Sequence, residues 1–405
     1  DERERVREAR RALGPAAARM APPPPRALVI DERMPSPDRD AGSAAILSHV
    51  SALRRLGYEV SVAAAEAGWT DGTDTAAVRA AGAITCDRAC FGTVEELLRR
   101  QSGCFDVVYL HRVGIAAAYG SLVRRTMPRA RLLYGVADLH HLRFRRQAAV
   151  QNRPELLGLA NRVRLEECTA AWQADAVLTH SGAEAELLRR MVPGAKVYEV
   201  PWAFTPRDED EAGPGFAERS GLVFLGNYGH EPNEDAARWL VEELMPLVWA
   251  RQPGLTCILA GRDMTPRIHA LGRPGVEILG AVSELRPLWD RVRLSVAPLR
   301  FGAGVKGKVL DSFAAGVPCV MTPVAAEGLE LPPSLSSWVA AEPRELAELI
   351  LRMHDDRGAH LRARAAGLDL LRDRHDESDV AEALLAAIEG RPPATGIAGT
   401  APAAA

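Results

Sequence analysis

Lysine is nearly missing from this 405-residue chain: Lys196, Lys306 and Lys308 are the only three among 50 basic residues, and the rest are arginine. An excess of either charge is missing too, because 53 acidic residues leave a net charge of −3. A polyanion-coating protein is therefore not expected and no nucleic-acid partner is assigned, although a local basic cleft stays open. No run approaches ~18 consecutive apolar residues, so no membrane-spanning helix is read. The charged opening DERERVREARRALG has no apolar core of a signal peptide. It starts with Asp rather than Met, which raises the expectation of a piece of a longer, multidomain protein. The six cysteines form no C-x-x-C pair and several sit in apolar runs. Free thiols in a reducing cytoplasm fit this better than a disulfide framework or a zinc ribbon.

What is present has an ordinary globular balance, with 47% hydrophobic and 25% charged residues. At about 150 residues per domain, the length predicts two or three domains. Residues 1–20 read as a charged helix, and Ala21–Pro25 (APPPP) as a stiff linker. Strand-like runs follow at Ala27–Ile30, Val60–Ala64, Val107–Leu110, Leu132–Val136, Ala176–Thr179 and Val197–Val200, with helical patterns between them. Thr93 with Glu96, and Ser181 with Glu184, have capping-box spacing. An acidic, Pro/Gly-bearing linker spans 201–218. The alternation restarts with runs at Leu222–Leu225, Cys257–Ala260, Val276–Leu279, Leu294–Ala297 and Val317–Met321. The expected organisation is α/β: a first domain over 26–200, a second over 219–375, a helix over 376–390 returning to the first domain, and a disordered tail over 391–405. Repeated strand–helix alternation predicts two doubly wound parallel sheets, with the ligand site in the cleft beyond the strand ends.

The two paired lysines fall in SVAPLRFGAGVKGKVLDSFAAGVPCV, residues 295–320. A strand ends near Leu299, and a Gly-rich turn leads to a helix from about Lys306 to Ala315. Gly302, Gly304 and Gly307 allow close backbone approach, and a helix start offers unpaired N–H groups. The segment suits a phosphate or diphosphate. It also satisfies G-x-G-x-x-G, with Glu327 twenty residues beyond Gly307, but not in the first strand–helix unit where a dinucleotide fingerprint belongs. It satisfies G-x-x-x-x-G-K as well, but Val309 stands where a P-loop has Ser or Thr. A Gly-rich turn with no ligand is the remaining alternative.

GAGVKGKVLDSFAAGVPCV, followed by EGLEL, resembles the donor-site segment of retaining GT-B-fold glycosyltransferases, the group related to sucrose and glycogen synthases. RALVIDERMPSPDRDAGSAAILSHVSALRRLGYEV resembles the opening of their acceptor domain, with Gly42 in its Gly-bearing loop. GLVFLGNYGHEPNEDAARWL resembles the opening of their donor domain. DVVYLHR and YGVADLHHLRFRR resemble a bacterial subset that builds surface glycans. The resemblance covers roughly residues 26–385 and is most specific over 295–330. It implies a GT-B fold with two Rossmann-like domains. It also implies transfer of a sugar from a nucleotide diphosphate sugar with retention of configuration, without a metal or other cofactor. The implied acceptor is a glycan, a lipid-linked glycan or a protein, and the implied location is cytoplasmic or peripheral at the inner membrane face.

The family's Glu-x7-Glu motif falls on Ala303 and Asp311. Asp311 keeps a carboxylate for ribose, whereas Ala303 replaces the sugar-contacting Glu. Backbone N–H groups of the loop at Gly302, Ala303 and Gly304 are left for the sugar. Lys308 matches the phosphate-binding lysine, with Lys306 beside it and Arg262 added to the donor set. Asn227 replaces an arginine after the first donor-domain strand, with His230 and Asn233 nearby. Asp138 and His140 stand near a family His–Asp position and are the catalytic-side candidates; a polar turn capping a helix is the competing reading. His111 and Arg112 end another strand on the cleft side. Asp38-Arg39-Asp40 has a metal-type D-x-D pattern, but a solvated turn or acceptor contact is preferred there. Three rivals remain: a nucleotide-sugar epimerase or phosphorylase on this fold, an NAD-dependent dehydrogenase, and a non-catalytic GT-B domain that binds glycans or partners.

Overall fold

The computed structural model describes residues 23–37, 39–66, 73–86, 90–207 and 213–392. The helix expected over 1–20, the first two residues of the Pro linker, Asp38, part of the inter-domain linker and nearly all of the tail lie outside the described residues.

Two parallel sheets organise the chain. The first has seven strands in the order β3-β2-β1-β4-β5-β6-β7. They are β1 Arg26–Asp31, β2 Glu59–Ala64, β3 Ile84–Thr85, β4 Val107–His111, β5 Arg131–Val136, β6 Ala176–Thr179 and β7 Val197–Glu199. The second has five, in the order β10-β9-β8-β11-β12: β8 Leu222–Leu225, β9 Cys257–Ala260, β10 Val276–Gly280, β11 Leu294–Ala297 and β12 Cys319–Met321. Strand order reverses between β1 and β4, and again between β8 and β11. Such switch points open a crevice beyond the strand ends.

Burial on both faces explains why these strands read as continuous apolar runs. Leu28 and Ile30 of β1 pack with Leu132 and Tyr134 on one side. Ala27 and Val29 pack with Val62, Tyr109 and the helix Ala41–Arg55 on the other. That helix buries Ile46, Val50 and Leu53 and ends at Gly57, whose φ of 89° suits glycine. The helix Glu377–Glu389 also belongs to the first sheet, because Val380, Ala381, Leu384 and Ala387 join that cluster. The second sheet has its own core, built from Phe224, Leu259, Val296, Leu310 and Phe313 among others.

The chain crosses between domains near Val200–Phe204 and returns near His375. Three histidines hold this crossing. His180 Nδ1 donates to Val200 O at 2.7 Å, His49 Nε2 to Pro201 O at 2.9 Å, and His375 Nδ1 to Trp202 O at 2.8 Å. Burial pushes the His49 imidazole down to about 4, so it stays neutral near pH 7. All six cysteines are free thiols. No helix among the described residues is long and apolar enough to cross a membrane.

Candidate functional site

β11 delivers the chain into the turn 298–306, and the helix Gly307–Ala314 leaves it. Lys306 occupies the N-cap position of that helix, and no side chain caps it. The N–H groups of its first turn therefore lack the usual carboxylate or hydroxyl partner. The turn has glycine geometry at Gly304, φ 69°, and a Cβ there would lie 3.0 Å from both Ala137 O and Asp138 Cβ. A Cβ on Gly307 would lie 2.8 Å from the Ala41 Cβ. Both contacts cross the domain boundary, so the loop meets the strand-end turns of the first domain directly.

The two ammonium groups hold different places. Lys306 is buried, with Nζ donating to Ala303 O at 2.8 Å and also to Gly304 O. It fixes the shape of the loop from inside. Burial pushes it down to about 8, with Glu184 opposing the shift. Lys308, on the first turn of the helix, donates to Asn233 Oδ1 and lies 4.6 Å over the Phe224 ring. Burial, then the neighbouring Lys306, pushes it down to about 7. One turn on, burial lifts Asp311 up to about 7 against the pull of Lys308. Lys308 thus sits half-buried, where added negative charge would strengthen its protonated form.

Asn227 shapes the adjoining turn after β8. Its Oδ1 accepts from Gly229 N at 2.9 Å, and its carbonyl accepts from Asn233 Nδ2 at 2.7 Å. Arg262 is exposed after β9, and its carbonyl accepts from Tyr228 N at 2.9 Å.

On the first domain, Asp138 and His140 are in contact: His140 Nε2 lies 3.1 Å from Asp138 Oδ1. Arg143, which the sequence did not single out, donates to Asp138 Oδ2 at 3.0 Å and lies 3.0 Å from His230 Nε2 of the second domain. Burial would raise the Asp138 carboxyl, yet Arg143 and His140 hold it well below the usual carboxylate range. Burial and Arg143 push His230 down to about 4. The pair read as either catalytic or capping is thus part of a charged chain reaching the donor side.

At the first switch point, Asp31 accepts from His111 Nδ1 and from Arg112 Nε, each at 3.0 Å. Arg112 also donates to Asp40 Oδ1 at 3.0 Å, and Asp40 caps Ser43 N at 2.8 Å. A Cβ on Gly42 would lie 2.8 Å from the Arg112 guanidinium. Asp40 is therefore committed to a helix cap and an ion pair. Among the described residues no group of three or more His, Cys, Asp or Glu could hold a metal ion.

Two capping boxes behave differently from their spacing. Glu96 reaches Gly92 N rather than Thr93 N, and Glu184 leaves its own cap altogether. A further cross-domain tie went unseen in the sequence. Arg146 holds Glu327 through two bonds of 2.5 and 2.7 Å and donates to Gly302 O at 2.8 Å. A cavity of about 710 Å³ opens beside this tie, lined by Arg146, Val324, Glu327, Glu330 and Leu331. Lys308, Asp311 and Asn227 are not among its lining residues.

Residues 219–356 match the family described as Glycosyl transferases group 1. No curated protein matches the chain. HepE of Anabaena, solved with UDP and glucose, is similar in structure: TM-score 0.65 and 13% identity over 90% of this chain and 99% of that one. A glycosyltransferase of Rickettsia africae ESF-5 gives 0.63 and 9% over 91% and 98%. An O-GlcNAc transferase of Thermobaculum terrenum gives 0.58 and 14% over 91% and 67%. At these identities the likeness establishes the fold, which is GT-B. Together with the group 1 match over the second domain, it supports a GT-B glycosyltransferase.

Proposed function

We propose that this protein is a retaining, metal-independent glycosyltransferase that moves a hexosyl group from a nucleotide diphosphate sugar to a glycan, lipid-linked glycan or protein acceptor in surface-glycan biosynthesis. One observation carries the reading: the helix Gly307–Ala314 starts at a switch point with no side-chain cap and two ammonium groups in its opening residues. Breaking the bond between the sugar C1 and the diphosphate oxygen sends its electron pair to the diphosphate. Fixed N–H groups, the helix dipole and Lys308 stabilise that growing charge. An acceptor hydroxyl attacks the same face of the sugar, and its proton passes to the departing diphosphate or to a base. Asp138 and His140 are our candidates for the acceptor side, with Arg143 fixing Asp138. Asp311 is assigned to the ribose and the N–H groups of Gly302 and Ala303 to the sugar, whereas the expected contact from Gly304 is corrected, because Glu184 takes its N–H and Lys306 its carbonyl. We assign Asn227 and Arg262 to the donor side, and Gly42 to the point where the acceptor loop meets it. HepE has been solved with UDP-glucose, so uridine nucleotides are the first donors to try.

Ala303 favours a second reading, a non-catalytic GT-B domain, because it places a methyl where the family's motif has a sugar-contacting carboxylate. Incubation with a panel of labelled UDP-, GDP- and ADP-sugars in EDTA, with candidate glycan acceptors, separates the two. Labelled product with unchanged anomeric configuration is expected. Nucleotide binding without product would favour the second reading, and inversion or a strict manganese requirement would overturn the first.

A further inference from the structure

Glu184 opens the helix Gly182–Met191 of the first domain and is 2% exposed. A capping box would send its carboxylate back to Ser181 N. Half of that arrangement exists, since Ser181 Oγ accepts from Glu184 N at 3.3 Å. The other half does not: Ser181 N donates to Thr179 Oγ1 at 3.3 Å. The Glu184 carboxylate is thereby released for another use. Its Oε1 accepts from Leu139 N at 3.0 Å and from Gly304 N at 2.8 Å, and its Oε2 accepts from Thr179 Oγ1 at 3.2 Å.

One oxygen thus joins a backbone N–H of each domain. Leu139 stands between Asp138 and His140, and Gly304 lies in the turn that leads to Lys306. The neighbouring contacts are as close: a Cβ on Gly328 would lie 2.5 Å from Ser181 Oγ. Burying a carboxylate is unfavourable unless donors surround it, and the helix is already capped by Ser181 without it. Helix capping therefore does not account for a glutamate at this position.

We propose that Glu184 is a positioning residue: by sharing one carboxylate oxygen between Leu139 and Gly304, it sets the spacing of the acceptor-side turn against the donor loop. Calling these two segments the halves of a transfer site rests on the function proposed above; the mechanical coupling does not. Side-chain length sets the two shared N–H contacts, and the charge separately supports the buried Lys306 ammonium. A glutamine keeps an oxygen at the same reach, whereas an aspartate keeps the charge and falls short of both N–H groups.

Hydrogen–deuterium exchange on the full chain tests this with Glu184→Gln, Glu184→Asp, Glu184→Ala and Ser181→Ala. In Glu184→Asp and Glu184→Ala, segments 137–141 and 302–307 are expected to exchange faster together, by about tenfold, as local opening becomes easier. Glu184→Gln, which keeps the reach but not the charge facing Lys306, should loosen both far less than Glu184→Asp, and Ser181→Ala should loosen chiefly 182–188. Turnover in Glu184→Asp should fall by up to about 10²-fold, as for a small misplacement of reacting groups. Should the alanine variant fail to fold, the Asp and Gln pair carries the test. Unchanged exchange in Glu184→Asp, or loosening of only one segment, would overturn the proposal. Thermal stabilisation of the wild type by UDP, GDP and ADP is measured alongside. A wild type that responds to none of them counts against the donor site and leaves the coupling intact.

Discussion

Two helix starts meet across the cleft in opposite electrostatic states. The helix Ala41–Arg55 begins at Asp40, whose carboxylate takes the Ser43 N–H and the Arg112 guanidinium. The helix Gly307–Ala314 begins at Lys306, has no side-chain cap, and carries Lys308 in its first turn. A helix N-terminus bears a partial positive charge of about half a unit. Asp40 cancels it in the first domain; in the second, Lys308 adds to it when protonated, while Lys306 is tied to the carbonyls of Ala303 and Gly304. Two strand–turn–helix units, one after β1 and one after β11, on opposite sides of their sheets' switch points, thus yield one self-neutralised turn and one receptor for an anion. The residue at the N-cap decides which.

Substitutions on each side sharpen this contrast, starting with Lys308. Lys308→Ala should cost about 2–4 kcal/mol of transition-state stabilisation, by analogy with loss of one oxyanion donor. Turnover should fall more than donor affinity, because the contact strengthens as the diphosphate leaves. Lys308→Arg should recover only part, since a forked guanidinium does not replace a compact ammonium in a tight loop. Steady-state kinetics with the donor identified by the sugar panel, and circular dichroism for the fold, check both. Full activity in Lys308→Ala would transfer the role to another cation.

Asp138→Asn should lower kcat by about 10²-fold, because it removes the carboxylate that orients His140 as the proton-transfer group, with the fold retained. Wild-type kcat in this variant would leave Asp138 as a turn residue only. Asp40→Ala should behave in the opposite manner. Loss of the cap should destabilise the protein by about 1 kcal/mol in denaturant unfolding, with nucleotide affinity unchanged. A large loss of nucleotide affinity would erase the distinction between the two helix starts.

Proton uptake gives the smallest signal and a defined sign. Lys308 is held down at about 7, so near pH 8 most of it is neutral. A bound diphosphate favours the ammonium form, and binding should therefore take up as much as about one proton. Calorimetry in buffers of different ionisation enthalpy reads this, and Lys308→Ala should abolish it. Proton release on binding would contradict the placement of Lys308.

Lys308 stood out in the sequence because lysine is scarce and because it follows a Gly-rich turn at a helix start. The strands Leu222–Leu225, Cys257–Ala260 and Leu294–Ala297 were legible to the residue. Strands covered on both faces leave continuous apolar runs bounded by turns. β3, Ile84–Thr85, left no such mark: it is two residues long, at the sheet edge, with Ile84 exposed. Glu184 was hidden for another reason, because its spacing from Ser181 already had a local explanation. Arg143 with His230, and Arg146 with Glu327, are joined only by the closing of one domain on the other. Separations of 87 and 181 residues leave no periodic signal in one sequence.

The claim that the uncapped, lysine-bearing helix start is the anion receptor has one direct measurement. Hydrogen exchange of the wild-type chain is followed while UDP, GDP or ADP is titrated in the presence of EDTA. The account predicts saturable protection over residues 302–310 with at least one nucleotide, larger than any change over 40–46, which only adjoins the donor loop at Ala41. Protection confined to 40–46, or none with any of the three, would contradict it.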